Sequence, residues 1–211
     1  MTLPVGLVRL GAPLPPQVAA EGRLLRRCAT AGVRLPSGAV LLEGHDDLGP
    51  LRAGEHLVLR VLGTTPAVRV PTGRDGVLTA ALRTIRLAAP PDLRHDVLVL
   101  RSAGSVHAGR ATTGGVHDHF RAVEGEAHEL DACADVRALD APRLERAWHR
   151  AHRGVDPWRT PLPPWAMRLS RLVREVRRAV GGEPLEIIWA DDGHVCRLLG
   201  VSPRPRNEEG S

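Results

Sequence analysis

The chain has 211 residues, of which 43% are apolar, so it is long enough to bury one sizeable hydrophobic core. Its 29 basic residues are all arginine, and the formal net charge is +5. Without lysine there can be no Schiff-base chemistry, no pyridoxal linkage and no P-loop lysine on a nucleotide phosphate. Aromatic residues make up only 2% of the chain, too few for base-stacking platforms, so nucleic-acid binding is not expected.

The cysteines and the N-terminal residues predict a cytoplasmic protein. Cys28, Cys133 and Cys196 are odd in number and form no CxxC pair, which suits a reducing compartment better than a disulfide framework. Several prolines within the first sixteen residues interrupt any apolar region of a signal peptide. No apolar run approaches the roughly 18 residues of a membrane span, so no contact with a membrane is expected.

The spacing of apolar residues predicts strands and helices that follow one another along the chain. In the first half these are a strand in Pro4–Leu10, a helix over Val18–Ala31, a strand ending Val33–Leu42, strands over Glu55–Leu62 and Ala67–Val70, and a helix over Gly76–Ala88. In the second half they are strands over Val97–Leu100 and Gly115–Val123, helices over Glu126–Leu139, Pro142–Gly154 and Trp165–Val180, and a β-hairpin that turns at Asp191-Asp192-Gly193. Residues 102–114 are predicted to be a loop.

A proline-rich stretch, Val155–Pro164, divides the predicted elements into two groups. We expect residues 1–154 to form an N-terminal subdomain and residues 155–164 a linker. Residues 165–203 are expected to form a helix with the β-hairpin packed on it, and residues 204–211 a disordered tail.

One stretch of the sequence combines a buried strand, an arginine and a glycine-rich loop. The apolar residues Val97–Leu100 deliver Arg101 and Ser102 into a loop of glycine, serine and threonine. A guanidinium group and free backbone N–H groups can converge on the same oxygen atoms, so this pattern predicts an anion site, with Arg110 as a further basic residue. Most glycine-rich loops after strands are only turns, and that alternative stays open.

Two groups of titratable residues are candidates for proton transfer or ligand binding. The first candidates for acid/base catalysis follow the Pro-Ser-Gly turn and are Glu43, His45, Asp46 and Asp47. The alternative group follows the Arg101 loop and contains His117, Asp118 and His119. Along a strand His117 and His119 share one face and Asp118 lies on the other, and the two histidines are candidate ligand-binding residues. A metal bound there would need a further ligand from elsewhere, so neither a metal site nor a cofactor is predicted. The acidic group is equally compatible with a solvated surface loop.

The order of these segments resembles the N-terminal nucleotide-binding domain of phosphoenolpyruvate synthase, pyruvate phosphate dikinase and rifampin phosphotransferase. Three blocks carry the resemblance: LLRRCATAGVRLPSGAVLL, VLVLRSAGS followed by TTGGVHDHFRAVEG, and VREVRRAVGGEPLEIIWADDGHVCRLLGVSPRP. That family has an ATP-grasp-type fold. The resemblance therefore implies an α+β, reduced ATP-grasp-like fold with a mixed sheet and flanking helices.

Most positions that do the chemistry in that family are replaced in this sequence. The family lysine that meets ATP phosphates falls on Glu21, and the family glutamate that meets metal and phosphate falls on Ile188. Three other family positions fall on or near Gly115, Gly200 and Ser202, and only the arginine of the second block is kept, as Arg101. About 40 residues separate Val123 from Trp165, too few for the central region that the family has between the second and third blocks. The resemblance therefore implies that ATP-dependent phosphoryl transfer has been lost.

These replacements leave three hypotheses for function. The first is a repurposed protein that binds a phosphorylated or sulfated small molecule without ATP and eliminates or cyclises it in a natural-product pathway, with arginine stabilising the departing charge. The second is a non-catalytic subunit that binds another pathway enzyme or a second copy of itself through an exposed apolar surface near Trp148, Trp158 and Trp165. The third is residual ATP binding.

Overall fold

The computed structural model describes residues 3–52, 56–64, 67–72, 75–102, 104–114, 117–124, 137–142 and 163–204. Within these ranges the helices are α1 (Ala20–Thr30), α2 (Asp75–Ala88) and α3 (Pro164–Val180), with a short 3-10 helix over Gly49–Arg52. The strands are β1 (Leu7–Arg9), β2 (Gly38–Leu41), β3 (His56–Val61), β4 (Val68–Pro71), β5 (Val97–Arg101), β6 (His107–Thr113), β7 (His117–Glu124), β8 (Arg137–Pro142), β9 (Leu185–Asp191) and β10 (Cys196–Pro203).

The strands form two five-stranded sheets. The first has the strand order β1-β2-β5-β3-β4 and the second the order β10-β9-β6-β7-β8. Neighbouring strands in both sheets run antiparallel. None of the described helices combines the length and the apolar composition needed to cross a membrane.

Helix α2 covers one face of the first sheet. Its apolar residues Leu78, Leu82 and Ile85 recur at helical spacing and are buried. They belong to one core with alternate residues of the sheet, which include Leu57, Leu59, Val97 and Val99. The predicted amphipathic helix is confirmed, and its apolar stripe explains why it lies on the sheet.

The second core contains residues of α1, α3 and both sheets. It combines the other face of the first sheet with one face of the second, and its members include Leu98, Leu100, Leu25, Leu172 and Phe120. Within it the rings of Trp165 and Trp189 stack with centroids 5.5 Å apart and an interplanar angle of 10°. Trp165 is 4% exposed, so the prediction that it contributes to an exposed apolar surface is wrong. Trp148 and Trp158 lie outside the described residues.

Strand β6 differs from the prediction of a loop between Arg101 and Gly115. Its sequence lacks an apolar alternation, yet its backbone pairs with β7 on one side and β9 on the other. A central strand gains hydrogen bonds on both edges, and these outweigh a weak intrinsic preference. The glycine at 109 is required there, because a Cβ would lie 1.8 Å from the Arg121 carbonyl oxygen and 2.9 Å from the Trp189 ring.

The predicted helix over Glu126–Leu139 is wrong at its end. Residues 137–139 belong to β8, whose backbone is held by its pairing with β7, and residues 126–136 lie outside the described part of the chain. The predicted helix over Pro142–Gly154 and the proposed linker Val155–Pro164 also lie outside it, apart from their terminal residues.

The predicted C-terminal helix and hairpin are confirmed as elements. The hairpin strand β9 also pairs with β6, so the hairpin shares a sheet with strands from the earlier part of the chain. The division into subdomains at residues 155–164 stays a prediction.

Candidate functional site

Arg101 lies at the end of β5, in the first sheet. Its backbone N–H donates to the Ser37 carbonyl oxygen at 2.8 Å, and the Ser102 N–H donates to the His56 carbonyl oxygen at 3.1 Å. The Arg101 side chain is exposed and that of Ser102 is half-buried. The backbone on both sides of this arginine is therefore fixed by neighbouring chain segments.

The predicted acid/base residues lie at the opposite end of the same strand. We call residues 43–49 the acidic loop. The backbone N–H of Glu43 donates to the carboxylate of Asp96, just before β5 begins, at 2.9 Å. From Val97 to Arg101 the strand rises roughly 13 Å at about 3.3 Å per residue. The structure therefore does not bring the acidic loop and Arg101 into one site.

The carboxylates of the acidic loop each contact a donor within the protein. Asp46 pairs with Arg86 of α2 at 2.5 Å, and Glu43 pairs with Arg94 at 3.8 Å. Asp47 accepts the Gly49 N–H at 2.9 Å, which shapes the turn into the 3-10 helix. The same Arg86 donates to the His45 carbonyl oxygen at 2.8 Å. These contacts hold the loop in place, and its catalytic role stays a prediction.

The second sheet has one face that contributes to the second core and one face that does not. Side chains alternate along a strand, so the neighbours of core residues such as Trp189 and Phe120 point the other way. We call this side the arginine face; its half-buried or exposed residues include Arg110, Thr112, His119, Arg121, Glu186 and Ile188.

Two arginines stand directly opposite each other on the arginine face. Arg110 on β6 is the register partner of Arg121 on β7. The Arg110 guanidinium lies 3.6 Å from the Glu186 carboxylate, whereas Arg121 is exposed and pairs with no carboxylate among the described residues. Like charges directly opposite on neighbouring strands are destabilising, and an anion between them relieves the repulsion.

His119 lies one row along from these arginines. Its register partner on β6 is Thr112, and its side chain is exposed. It is therefore a diagonal neighbour of Arg110, at the roughly 7–8 Å that separates such positions. His117 begins β7 as the register partner of Pro142. Asp118 faces the opposite side, where it is buried and paired with Arg177 of α3.

Two of the predicted ligand-binding residues, Arg110 and His119, thus share the arginine face, while Arg101 and Ser102 end a strand of the other sheet. Sequence analysis missed Arg121. The alternation in HDHFRAV could have found it, because residues 119 and 121 have the same parity along the strand.

A buried ion pair borders the arginine face. Arg60 of β3 pairs with Glu21 of α1 through both nitrogens of its fork, and the side chains are only 7% and 4% exposed. The Glu21 carboxylate also accepts the Gly63 N–H at 2.8 Å, and Arg60 donates to the Thr64 carbonyl oxygen at 2.8 Å. The Glu21 carboxylate is therefore already bound by groups of the protein.

The two described cysteines are buried, which disfavours their thiolate forms. Burial raises the pKa of the Cys28 thiol to about 11, although Arg27 opposes the shift. Burial also raises the pKa of Cys196 far above its usual range. Among the described residues, no group of three or more His, Cys, Asp or Glu side chains is placed to hold a metal ion.

Comparison with known proteins gave matches among solved structures alone. No protein-family model and no curated protein matches the sequence. D-alanine–D-alanine ligase from Bacillus anthracis matches with a TM-score of 0.55 and 12% identity, over 88% of this chain and 56% of that chain. The same enzyme complexed with ATP matches with a TM-score of 0.55 and 11% identity, over 87% and 54%.

A RimK domain ATP-grasp protein from Sphaerobacter thermophilus reaches a TM-score of only 0.49, with 14% identity over 86% of this chain and 57% of that chain. The ligase likeness decides the fold. This chain has an ATP-grasp-like fold. The predicted α+β, ATP-grasp-like class is confirmed. The chain spans about half the length of the solved structures that it matches.

Proposed function

We propose that this ATP-grasp-like protein binds a phosphorylated or sulfated small molecule on its arginine face and does so without ATP. The observation that carries the proposal is the direct opposition of Arg110 and Arg121. Two guanidinium groups side by side can each donate a pair of N–H hydrogen bonds to the oxygen atoms of one tetrahedral anion. The anion in turn compensates the repulsion between them.

Two neighbouring positions support the absence of nucleotide chemistry. Ile188, the register partner of Arg110, is apolar and offers no ligand for the metal that accompanies nucleotide phosphates. Glu21 carries a negative charge where the resemblance to phosphoenolpyruvate synthase and its relatives implies a phosphate-binding lysine. A solved ligase of similar fold is complexed with ATP. We propose that this chain has kept the fold and exchanged that ligand for a smaller anion.

Calorimetric titration with inorganic phosphate, sulfate and ATP with magnesium tests the proposal. We expect heat of binding from phosphate or sulfate, and a loss of affinity of about tenfold or more in Arg121→Gln, because one charge-assisted pair of hydrogen bonds is removed. Arg171→Gln is the matched control, since Arg171 is exposed on α3, which packs against the opposite face of the sheet.

Three results would contradict the proposal. One is the absence of binding by either inorganic anion. Another is an equal loss of affinity in the Arg121 and Arg171 variants. The third is tight binding of ATP with magnesium, which would revive the hypothesis of residual nucleotide binding.

Elimination of the bound group would extend this proposal by one step. We propose His119, a diagonal neighbour of Arg110, as the base that takes a proton from the carbon next to the ester-bearing carbon. The C–H electrons form the double bond, the C–O bond breaks, and phosphate leaves with that electron pair beside the arginines. Release of phosphate from O-phosphoserine that is lost in His119→Gln, with phosphate binding retained, supports the step. Unchanged release in that variant excludes His119.

The alternative proposal is a non-catalytic subunit that binds another enzyme or a second copy of the chain. It no longer has Trp165 as support, because that ring is buried. Sedimentation of the purified chain tests self-association. A monomer at all concentrations would leave only a partner of different sequence.

A further inference from the structure

The Arg60–Glu21 pair lies at the border of the arginine face, against Gly200 of the edge strand β10. The row of register partners that contains the two arginines runs across the sheet as Gly200, Ile188, Arg110 and Arg121. A Cβ at Gly200 would lie 2.6 Å from Arg60 Nη2 and 2.8 Å from Glu21 Oε1. The Arg60–Glu21 ion pair therefore lies directly against Gly200, where a side chain would clash with it. Two strand spacings place Gly200 about 10 Å from Arg110.

The groups around the Glu21 carboxylate form an anion cradle. Arg60 Nη1 donates to Oε2 at 2.9 Å, Nη2 donates to Oε1, and the Gly63 N–H donates to Oε2 at 2.8 Å. A guanidinium fork and a backbone N–H that converge on two oxygens are the donors that also hold phosphate. In this chain the two oxygens are those of the Glu21 carboxylate, where a phosphate would otherwise supply them.

We infer that Glu21 fills one anion subsite of the arginine face and so restricts the ligand to a single anionic group. This inference rests on the proposed function, because the Arg110–Arg121 position is taken as the subsite that stays open. The paired guanidinium of Arg60 has no charge left for a second phosphate. A diphosphate or triphosphate group gains nothing from its additional charges unless it displaces a buried carboxylate.

Calorimetry with inorganic phosphate and tripolyphosphate tests this restriction in the unaltered protein. We expect the two affinities to agree within about threefold, because only one subsite is open. Tripolyphosphate binding that is more than about tenfold tighter than phosphate binding overturns the inference and leaves the proposed function standing. Failure of both probes to bind overturns the proposed function itself.

Glu21→Gln sharpens the test, because it frees the charge of Arg60 and keeps the shape of the side chain. We expect tripolyphosphate affinity to rise about tenfold or more, the gain from one charge-assisted fork, while phosphate still binds at the arginine pair. If the ratio of tripolyphosphate affinity to phosphate affinity is unchanged in a folded Glu21→Gln protein, that result counts against the inference.

Two further variants separate the freed arginine from general loosening of the fold. Asp191→Asn breaks another buried pair, with Arg168, on the opposite face of the sheet, and we expect no gain in tripolyphosphate affinity. The double variant Glu21→Gln with Arg60→Gln removes both charges. We expect its ratio of tripolyphosphate affinity to phosphate affinity to equal that of the unaltered protein. A gain in either of these variants contradicts the assignment of the subsite to Arg60.

Discussion

The acidic loop and the arginine face use the same kinds of charged residue in opposite ways. At the acidic loop, Arg86 pairs with Asp46, and Arg94 pairs with both Glu43 and Asp96. On the arginine face, Arg110 and Arg121 stand opposite each other, and the Arg110 guanidinium lies 3.6 Å from the Glu186 carboxylate. The arginines of the first region therefore lie beside carboxylates, whereas the two of the second lie beside each other.

This difference separates arginines that are paired with carboxylates of a loop from arginines that stand opposite each other on a sheet. Paired charges fix a loop against its neighbours, and removing one partner leaves the other desolvated without compensation. Like charges opposite each other on a sheet reduce stability instead. Mutations in the two regions should therefore change stability in opposite directions.

The largest effect is expected from Asp96→Ala, at the base of the acidic loop. The Asp96 carboxylate is fully buried and accepts hydrogen bonds from Arg94 at 3.1 and 3.2 Å and from the Glu43 N–H at 2.9 Å. Its removal should lower the free energy of unfolding by about 3 kcal/mol, because several charge-assisted bonds are lost together. Urea denaturation measures the loss.

Asp96→Asn is the control, because its amide oxygen still accepts one of these bonds. We expect it to lose about half as much stability as the alanine variant. If Asp96→Ala unfolds at the same urea concentration as the unaltered protein, the balanced charges do not hold the loop, and the contrast between the two regions disappears.

A smaller effect is expected from Arg86→Gln, which acts on the other side of the acidic loop. Arg86 donates to the Asp46 carboxylate and to three backbone carbonyl oxygens, those of His45, Leu42 and His95. Because Asp46 is largely exposed, its pairing contributes little, and we expect a loss of about 1–2 kcal/mol, mainly from the carbonyl contacts. Asp46→Asn should lose less than about 0.5 kcal/mol. Equal losses in the two variants would show that the ion pair dominates.

The sequence alone predicted the helices and the hairpin because their signals are local. The apolar residues of α2 and α3 recur at helical spacing, and the turn at Asp192-Gly193 connects two apolar strands. Strand β6 escaped prediction because its signal is not local. Its small residues, Gly109 among them, are typical of a loop. They form a strand because their backbone pairs with the neighbouring strands β7 and β9.

The same error concealed the arrangement of the candidate site. Arg110 and His119 were predicted as ligand-binding residues, but their placement on one face depends on the register between β6 and β7. With residues 102–114 taken as loop, no such register existed, so Arg121 could not be placed opposite Arg110. The sequence also pointed to Glu21 as a replaced position, although its partner Arg60 is 39 residues away and could not be inferred.

The smallest effect, and the one with the opposite sign, is expected from Arg121→Gln. In a buffer without phosphate or sulfate, this change removes the like charge opposite Arg110, so stability should stay unchanged or rise by about 0.5 kcal/mol. Added phosphate should then raise the melting temperature of the unaltered protein more than that of the variant, because ligand binding stabilises the folded state. Arg171→Gln should respond to phosphate like the unaltered protein. A clear loss of stability in Arg121→Gln without phosphate would mean that Arg121 belongs to the fold, as Arg86 and Arg94 do, and the arginine face would lose its distinction from the acidic loop.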